Sequence, residues 1–270
     1  MDIYRKVEIF YKSAKTQKMV IGKSLFGRDI FAVKMGEGSP VGIVQYAIHG
    51  REYITAELAR SHFQKGVHKG SVWLIPLANP DGALLSQVGI SSAPKQEQKV
   101  TLLTLNGGED FSLWKANGRG VDLNVNFPAF WGRGEKNTLA AGAENCIGAY
   151  PCSEPESFAL KNFTEKITPD YTVSYHTKGE EIYWYFYQSI DTCHRDKALG
   201  EALSRSTGYP LAFAKNSAGG YKDWCIQRFQ IPAFTIEAGR DEYAHPLDGD
   251  ALGDIIEKNQ SALYDLSKEI

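Results

Sequence analysis

The sequence is sparing in several respects. It has four cysteines in 270 residues, Cys146, Cys152, Cys193 and Cys225, and none of them is in Cys-x-x-Cys spacing. They read as free thiols, although Cys146 and Cys152 stand close enough to pair in an exported protein. No apolar run approaches the length of a membrane-spanning helix, so no membrane span is expected. Neither sign of charge dominates: 30 Lys and Arg against 32 Asp and Glu give a formal net charge of −2. That balance implies no nucleic acid or other polyanion as a partner. Charge blocks, low-complexity tracts and internal repeats are absent. The opening residues, Met1-Asp2-Ile3-Tyr4-Arg5-Lys6, lack the apolar core and small-residue cleavage site of a signal peptide. The chain as written is therefore expected in the cytoplasm, with export of a longer precursor as the alternative.

What is present is ample apolar material, 43% of residues, which with the length predicts one large α/β domain. Ile3, Val7, Phe10 and Tyr11 share one face of a helix over 3–17. Apolar runs at 20–25 and 30–35 flank Phe26-Gly27-Arg28-Asp29 as a hairpin. Residues 41–48 are a buried strand, 53–65 a helix, and 72–77 a second apolar run closed by the turn signal Asn79-Pro80-Asp81-Gly82. His62 and His68, on and just after the helix, are expected to be exposed. Residues 86–118 read as a long surface insertion, and 121–124 as a short strand. Ser153 with Glu156 three residues on forms a capping-box pattern. A strand over 171–175 ends at His176, helices follow at 192–207 and 222–229, and a last strand over 233–236 ends at Glu237. An amphipathic helix over 251–268 closes the chain. This alternation predicts a mixed, mostly parallel central sheet with helices on both faces.

Four polar residues share one predicted position. His49, Asn124, His176 and Glu237 each stand at the C-terminal end of a strand, the edge at which open α/β sheets bind ligands. Glu52 follows His49 by three residues. His49, Glu52 and His176 supply two imidazoles and a carboxylate, a set that suits one Zn²⁺ and leaves a fourth position for water. Glu237, free of the metal, could take a proton from that water and pass it to a leaving amine.

The stretches His49-Gly50-Arg51-Glu52, Asn79-Pro80-Asp81-Gly82, Gly120-Val121-Asp122-Leu123-Asn124, His176, Gly219-Gly220-Tyr221-Lys222-Asp223-Trp224 and Phe234-Thr235-Ile236-Glu237 run in the order of the carboxypeptidase A-like zinc carboxypeptidases. The chain resembles that family over nearly the whole catalytic domain. The resemblance implies a carboxypeptidase A-like fold and a single zinc peptidase domain over 1–270. It also implies zinc ligands at His49, Glu52 and His176, a general base and acid at Glu237, and Asp122 supporting His49 from behind. The arginine that helps bind the oxyanion is matched by Lys115 or Arg119.

Departures from the family pattern narrow the substrate. The arginine that usually follows the residue matched by Asn124, and clamps a C-terminal carboxylate, is replaced by Val125. Lys215 and Lys178 stand where tyrosines are expected. The stretches 114–124 and 176–184 resemble the γ-D-glutamyl-diaminopimelate endopeptidases, which cut peptidoglycan stem peptides. Lys115, Arg119, Lys178, Lys215 and Arg240 would suit so polyionic a ligand, with Arg51 and Asn124 as further contacts. The expected activity is zinc-dependent hydrolysis of the γ-D-glutamyl–diaminopimelate amide of a stem peptide or muropeptide. An ordinary metallocarboxypeptidase and a zinc amidohydrolase on the same fold are the alternatives.

Overall fold

The computed structural model describes residues 1–247 and 249–270. Among these, eight strands form one sheet: β1 (Lys18–Lys23), β2 (Asp29–Gly36), β3 (Val41–Tyr46), β4 (Ser71–Ile75), β5 (Tyr171–His176), β6 (Glu181–Tyr183), β7 (Leu211–Ala212) and β8 (Ala233–Glu237). Their order across the sheet is β1-β2-β4-β3-β5-β8-β6-β7. The centre, β4-β3-β5-β8, is parallel. β1, β2 and β4 pair antiparallel on one side, and β6 pairs antiparallel with β8 on the other. The sheet is mixed, as expected.

The central strands are covered on both faces, which is why they read as unbroken apolar runs rather than alternating ones. On one face Val44, Leu74, Val173 and Phe234 pack with α2 (Ala56–Lys65), α6 (Ile190–Thr207), α8 (Gly249–Asn259) and α9 (Ala262–Glu269). On the other, Ile43, Trp73, Ile75 and Ala233 pack with Leu160 and Phe163 of α5 (Pro155–Ile167) and Trp224 and Ile226 of α7 (Tyr221–Phe229). α1 (Ile3–Ser13) covers Phe31 at the antiparallel side through Ile3 and Val7.

β3 connects to β4 on one side, and β5 then pairs on its other side. The chain thus changes direction across the sheet at the C-terminal ends of β3 and β5. Such a switch point opens a crevice between the strand ends. β8 lies next to β5 with Glu237 opposite His176.

Several expectations are corrected. Residues 121–124 find no strand partner; Asp122 instead accepts the Asn124 amide at 3.1 Å and caps a 3-10 turn, Leu123–Val125. Asn124 therefore sits in a turn, not at a strand end. The 86–118 stretch is not an irregular surface insertion. It holds the end of α3 (Pro80–Val88), a 3-10 turn (Gly89–Ser92) and α4 (Gln96–Asn106), and it buries Leu102, Phe111 and Trp114 in a satellite core with Leu85. α5 starts at Pro155 with Glu154 as its cap residue, while the Ser153 hydroxyl bonds the Glu154 carboxylate at 2.9 Å, so no capping box forms there. The C-terminal helix is two, broken after Asn259. His62 is fully buried, because its two ring nitrogens find Tyr46 Oη at 2.7 Å and the Asn259 carbonyl at 2.9 Å. The four cysteines are unpaired. Among the described residues no helix is long and apolar enough to cross a membrane.

Candidate active site

His49 lies three residues beyond the end of β3. Ala47, between them, takes a left-handed φ of 51° and donates its N–H to Thr55 Oγ1 at 2.9 Å. This bend passes the chain straight from strand into a 3-10 segment, Gly50–Thr55, which carries Glu52. Gly50 is required by close approach: a Cβ there would lie 2.5 Å from the Gly82 carbonyl oxygen and 2.7 Å from that of Trp114.

The Asn79-Pro80-Asp81-Gly82 turn is the brace behind this segment. Asn79 Oδ1 accepts the Gly82 amide at 2.9 Å and caps α3. Its Nδ2 donates to the carbonyls of Ile48 at 3.1 Å and Ala116 at 3.2 Å, tying the two backbone stretches on either side of His49 together. Asp81, also buried, accepts from the Ser24 hydroxyl at 2.8 Å, the Phe26 amide at 2.7 Å and Arg28 Nη1 at 2.6 Å. The tetrapeptide is thus far more than an exposed turn.

His176 ends β5 and meets His49 and Glu52 there. His49 Nδ1 is 2.9 Å from Glu52 Oε1, His176 Nδ1 is 3.0 Å from Glu52 Oε2, and the two Nδ1 atoms are 3.1 Å apart. All three side chains are buried. Among the described residues this is the one group of three His, Cys, Asp or Glu side chains that could hold a metal ion. The fit to zinc is good. Ligand atoms at about 2.0–2.1 Å from a tetrahedral zinc lie about 3.3 Å from one another. Two imidazole nitrogens and a bidentate-capable carboxylate converge here at nearly that spacing.

Charge around the cluster is arranged in layers. Behind His49, its Nε2 lies 3.2 Å from Asp122 Oδ1, and Lys115 Nζ lies 3.1 Å from Asp122 Oδ2. The Asn145 amide also donates to Asp122 Oδ2, at 3.2 Å. Asp122 thus both caps its turn and reaches His49. Burial would push the Asp122 carboxyl up, but Lys115 and His49 outweigh it and hold the carboxyl well below its ordinary range. Burial likewise opposes charge on Glu52, and the two histidines override it, again well below the ordinary value. For Lys115, burial is overcome by Asp122 and Glu52, so its ammonium is held above the usual lysine range. Glu237 is different. Burial dominates and Glu52 adds to it, while His176 and Lys115 only partly compensate, so its carboxyl is pushed up to about 7. A carboxyl poised there can exchange a proton near neutral pH.

Next to the cluster is a cleft of about 260 Å³ lined by His49, Lys115, Asn124, Val125 and Lys215, among others. Asn124 Oδ1 accepts the Tyr221 amide at 3.1 Å, at the start of α7. Of the other sequence candidates, Arg119 turns away: it is largely exposed and faces Glu154 at 3.6 Å. Lys178 is bound to Asp241 at 2.8 Å, and Arg240 to Asp254 at 3.1 Å. Arg51 faces Glu144 at 3.7 Å, and its buried Nε has no acceptor among the described residues. Sequence reasoning passed over Lys136, Asn137 and Asn145, which also line the cleft. They lie in the loop after Gly132, where no motif marks them. It also gave no role to His245, whose partly enclosed ring is pushed down to about 4 by burial, with Glu52 opposing.

Residues 10–262 match the family described as zinc carboxypeptidase. The chain is 31% identical over 240 residues to gamma-D-glutamyl-L-diamino acid endopeptidase 1 of Lysinibacillus sphaericus, a match that covers 81% of this chain and 59% of that protein. It is 34% identical over 120 residues to murein peptide amidase A of Escherichia coli (strain K12), covering 41% of this chain and 46% of that one. The chain thus spans less than two thirds of the length of either relative. In fold it is similar to thrombin activatable fibrinolysis inhibitor, with a TM-score of 0.76 at 17% identity, over 99% of this chain and 72% of that one.

Proposed function

Since the chain belongs to the zinc carboxypeptidase family, we propose that it is a zinc-dependent peptidase that hydrolyses the γ-D-glutamyl–diaminopimelate amide of peptidoglycan stem peptides. The observation that carries this reading is the convergence of His49, Glu52 and His176 within hydrogen-bonding distance of one another, beside a carboxyl, Glu237, that is not tied up in their cluster. The γ-glutamyl substrate rests on the kinship with the Lysinibacillus endopeptidase, joined by Val125 in a cleft lined by lysines.

His49, Glu52 and His176 are the residues that would hold the zinc. When bound there, zinc would polarise the scissile carbonyl and ease deprotonation of water. The remaining work falls to the chain's own groups. The Asp122 carboxylate, 3.2 Å from His49 Nε2, favours the ring proton on that nitrogen and so leaves the Nδ1 lone pair for the metal position. Lys115, anchored on Asp122, is the cation of the Lys115/Arg119 pair that lines the cleft, and we assign it to the developing oxyanion. Glu237 takes the proton of the attacking water and delivers it to the leaving amine. Asn124 orients substrate through its free amide while its carbonyl oxygen is held by α7.

The test is hydrolysis of L-Ala-γ-D-Glu-meso-diaminopimelate by zinc-loaded protein, with products identified by mass. Release of free diaminopimelate, abolished by a chelator and restored by Zn²⁺, is the expected result. Survival of that peptide alongside clipping of ordinary α-linked C-terminal residues would overturn the substrate while leaving the zinc site.

A further inference from the structure

Lys115 and Asp122 are the two ends of one turn, and Asn117 closes it. The Asn117 N–H donates to the Val121 carbonyl at 2.9 Å, and its own carbonyl accepts the Gly120 amide at 3.2 Å and Trp114 Nε1 at 3.1 Å. Its side-chain Oδ1 accepts the amides of Arg119 at 3.0 Å and Val121 at 3.1 Å. Its Nδ2 points out of the turn and donates to Glu154 Oε2 at 2.8 Å and Glu156 Oε2 at 3.1 Å. Two backbone donors on one side and two carboxylates on the other leave the amide a single orientation. At its open end the turn meets the metal cluster: the Lys115 carbonyl accepts the Gly50 amide at 2.9 Å, and Asp122 lies 3.2 Å from His49 Nε2. Asn117, Glu154 and Glu156 are all buried, and neither glutamate belongs to that cluster. Glu154 is steadied by the Ser153 hydroxyl and by Arg119. Glu156 has no cation within ion-pair distance among the described residues, and its Oε1 accepts the Leu25 amide at 2.9 Å. Burial, with Asp81 adding to it, pushes the Glu156 carboxyl up to about 7. A buried acid without a counter-ion costs stability. Its hydrogen bonds give the reason for keeping it. Both oxygens face N–H donors, and a carboxylate is the group of this shape that accepts at both ends. A glutamine would set its own NH2 against the Leu25 amide or against Asn117 Nδ2.

We propose that Asn117, held by Glu154 and Glu156, is a positioning residue: it sets the turn that aims the Lys115 ammonium at the cleft and the Asp122 carboxylate at His49. This rests on the roles given above to Lys115 and Asp122. Asn117 and the two glutamates act only through the ends of that turn. A shift of the turn weakens zinc binding through Asp122 and lowers kcat through Lys115. KM changes little, because the Lys115 charge is used as the oxyanion develops.

Three proteins are compared at pH 8, where the Glu156 carboxyl is mostly ionised. They are the wild type, Glu156→Gln, and a triple variant that joins Asn117→Asp to Glu154→Gln and Glu156→Gln. The triple variant reverses the network, so that a carboxylate at 117 accepts from two side-chain amides. Zinc affinity is read by competition with a chromophoric chelator, and kcat and KM on L-Ala-γ-D-Glu-meso-diaminopimelate. Glu156→Gln is expected to lower zinc affinity and kcat about tenfold each, with KM within about twofold of the wild type. The triple variant is expected to bring both back to within about threefold, a departure from additivity that lost packing would not produce. Unchanged zinc affinity in Glu156→Gln overturns the proposal, as does an unchanged kcat where the peptide is cut, or a triple variant no better than the single. If Glu156→Gln does not fold, the triple variant decides alone: values near the wild type support the positioning role and impaired ones overturn it. If neither folds, the network serves the fold and not the site, and the proposal falls. Zinc affinity is read without substrate, so the two proposals fail separately. Loss and recovery of zinc affinity in a protein that cuts no peptide removes the hydrolase reading and leaves the positioning role. Cutting of the peptide with wild-type constants in both variants does the reverse.

Discussion

Asp122 Oδ1 lies 3.2 Å from His49 Nε2, on the side of the ring away from Glu52. The same carboxylate holds the Lys115 ammonium at 3.1 Å and the Asn145 amide at 3.2 Å. One buried group therefore fixes the histidine ring, neutralises the lysine that faces the cleft and anchors the loop carrying Asn145. Asp122→Asn is nearly isosteric but removes the charge. Its amide nitrogen would oppose either the Lys115 ammonium or His49 Nε2–H, and both are donors. Zinc affinity is expected to fall about 10- to 100-fold, the usual cost of losing such a supporting group. Competition with a chromophoric chelator measures it, and an unchanged affinity would show that Asp122 serves its turn and not His49.

Glu237 stands opposite His176 on the neighbouring strand, outside the group of three side chains that could hold a metal ion. Glu237→Gln keeps the shape and removes the proton acceptor. Turnover is expected to drop by roughly 10² to 10⁴ with zinc content near that of the wild type. Metal analysis alongside kcat decides between roles: if the variant purifies without zinc, Glu237 is a ligand and the assignment to proton transfer is wrong.

Gly50 joins His49 to the 3-10 segment that carries Glu52. A methyl group there would press on the carbonyl oxygens of Gly82 and Trp114 at 2.5 and 2.7 Å, both of them backbone atoms that cannot swing aside. Gly50→Ala should therefore displace either the segment or its brace, separating Glu52 from the histidines. The expected outcome is weaker zinc binding together with a loss of stability of about 1–3 kcal/mol, as for overpacking elsewhere. Denaturant midpoints with and without zinc would show it, the gap between the two narrowing in the variant.

The parts of this fold that could be read from sequence are those whose signal is local. β3, β4 and β5 announce themselves because each is buried on both faces. The strand ends at His176 and Glu237 follow directly from where those apolar runs stop. Long-range partners were invisible. Leu102, Phe111 and Trp114 show no regular period, yet they close a small core against Leu85. The alternation at 121–124 suggests a strand, but strands need neighbours, and the Asp122 side chain took the local amide instead. Pro155 at the first turn of α5 and Glu154 before it set that helix start, against the Ser153 pattern. Arg119 and Lys115 are equally plausible cations in sequence; only the turn between them decides that Lys115 faces Asp122 and Arg119 faces Glu154. Lys136 and Asn137 carry no motif at all, and only the joining of two loops brings them to the cleft.

His62 makes the last case, since its burial links the site's scaffold to pH. Its Nε2 faces the Asn259 carbonyl, which can only accept, so that nitrogen carries the proton and Nδ1 accepts from Tyr46 Oη. Tyr46 in turn stacks on Tyr175, the residue before His176, with ring centroids 5.3 Å apart. In the neutral form both ring nitrogens and the Tyr46 hydroxyl are paired; a second ring proton would take away the acceptor of the Tyr46 O–H. Burial lowers the pKa from 6.5 to about 4, with the Asn259 carbonyl opposing only in part. Between these values the unfolded chain binds a proton at His62 that the folded chain refuses, so stability falls as pH drops from about 6.5 towards 4 and is retained above that window. The full shift corresponds to an upper limit of about 3 kcal/mol. His62→Gln cannot take up a proton. It should cost stability at pH 7.5 through lost packing, yet show a shallower decline into acid. Urea unfolding of both proteins from pH 7.5 to 4 tests this, because every other ionisable group is common to the two and cancels in the difference. Parallel pH profiles would mean that His62 is not held neutral, and that acid sensitivity arises elsewhere.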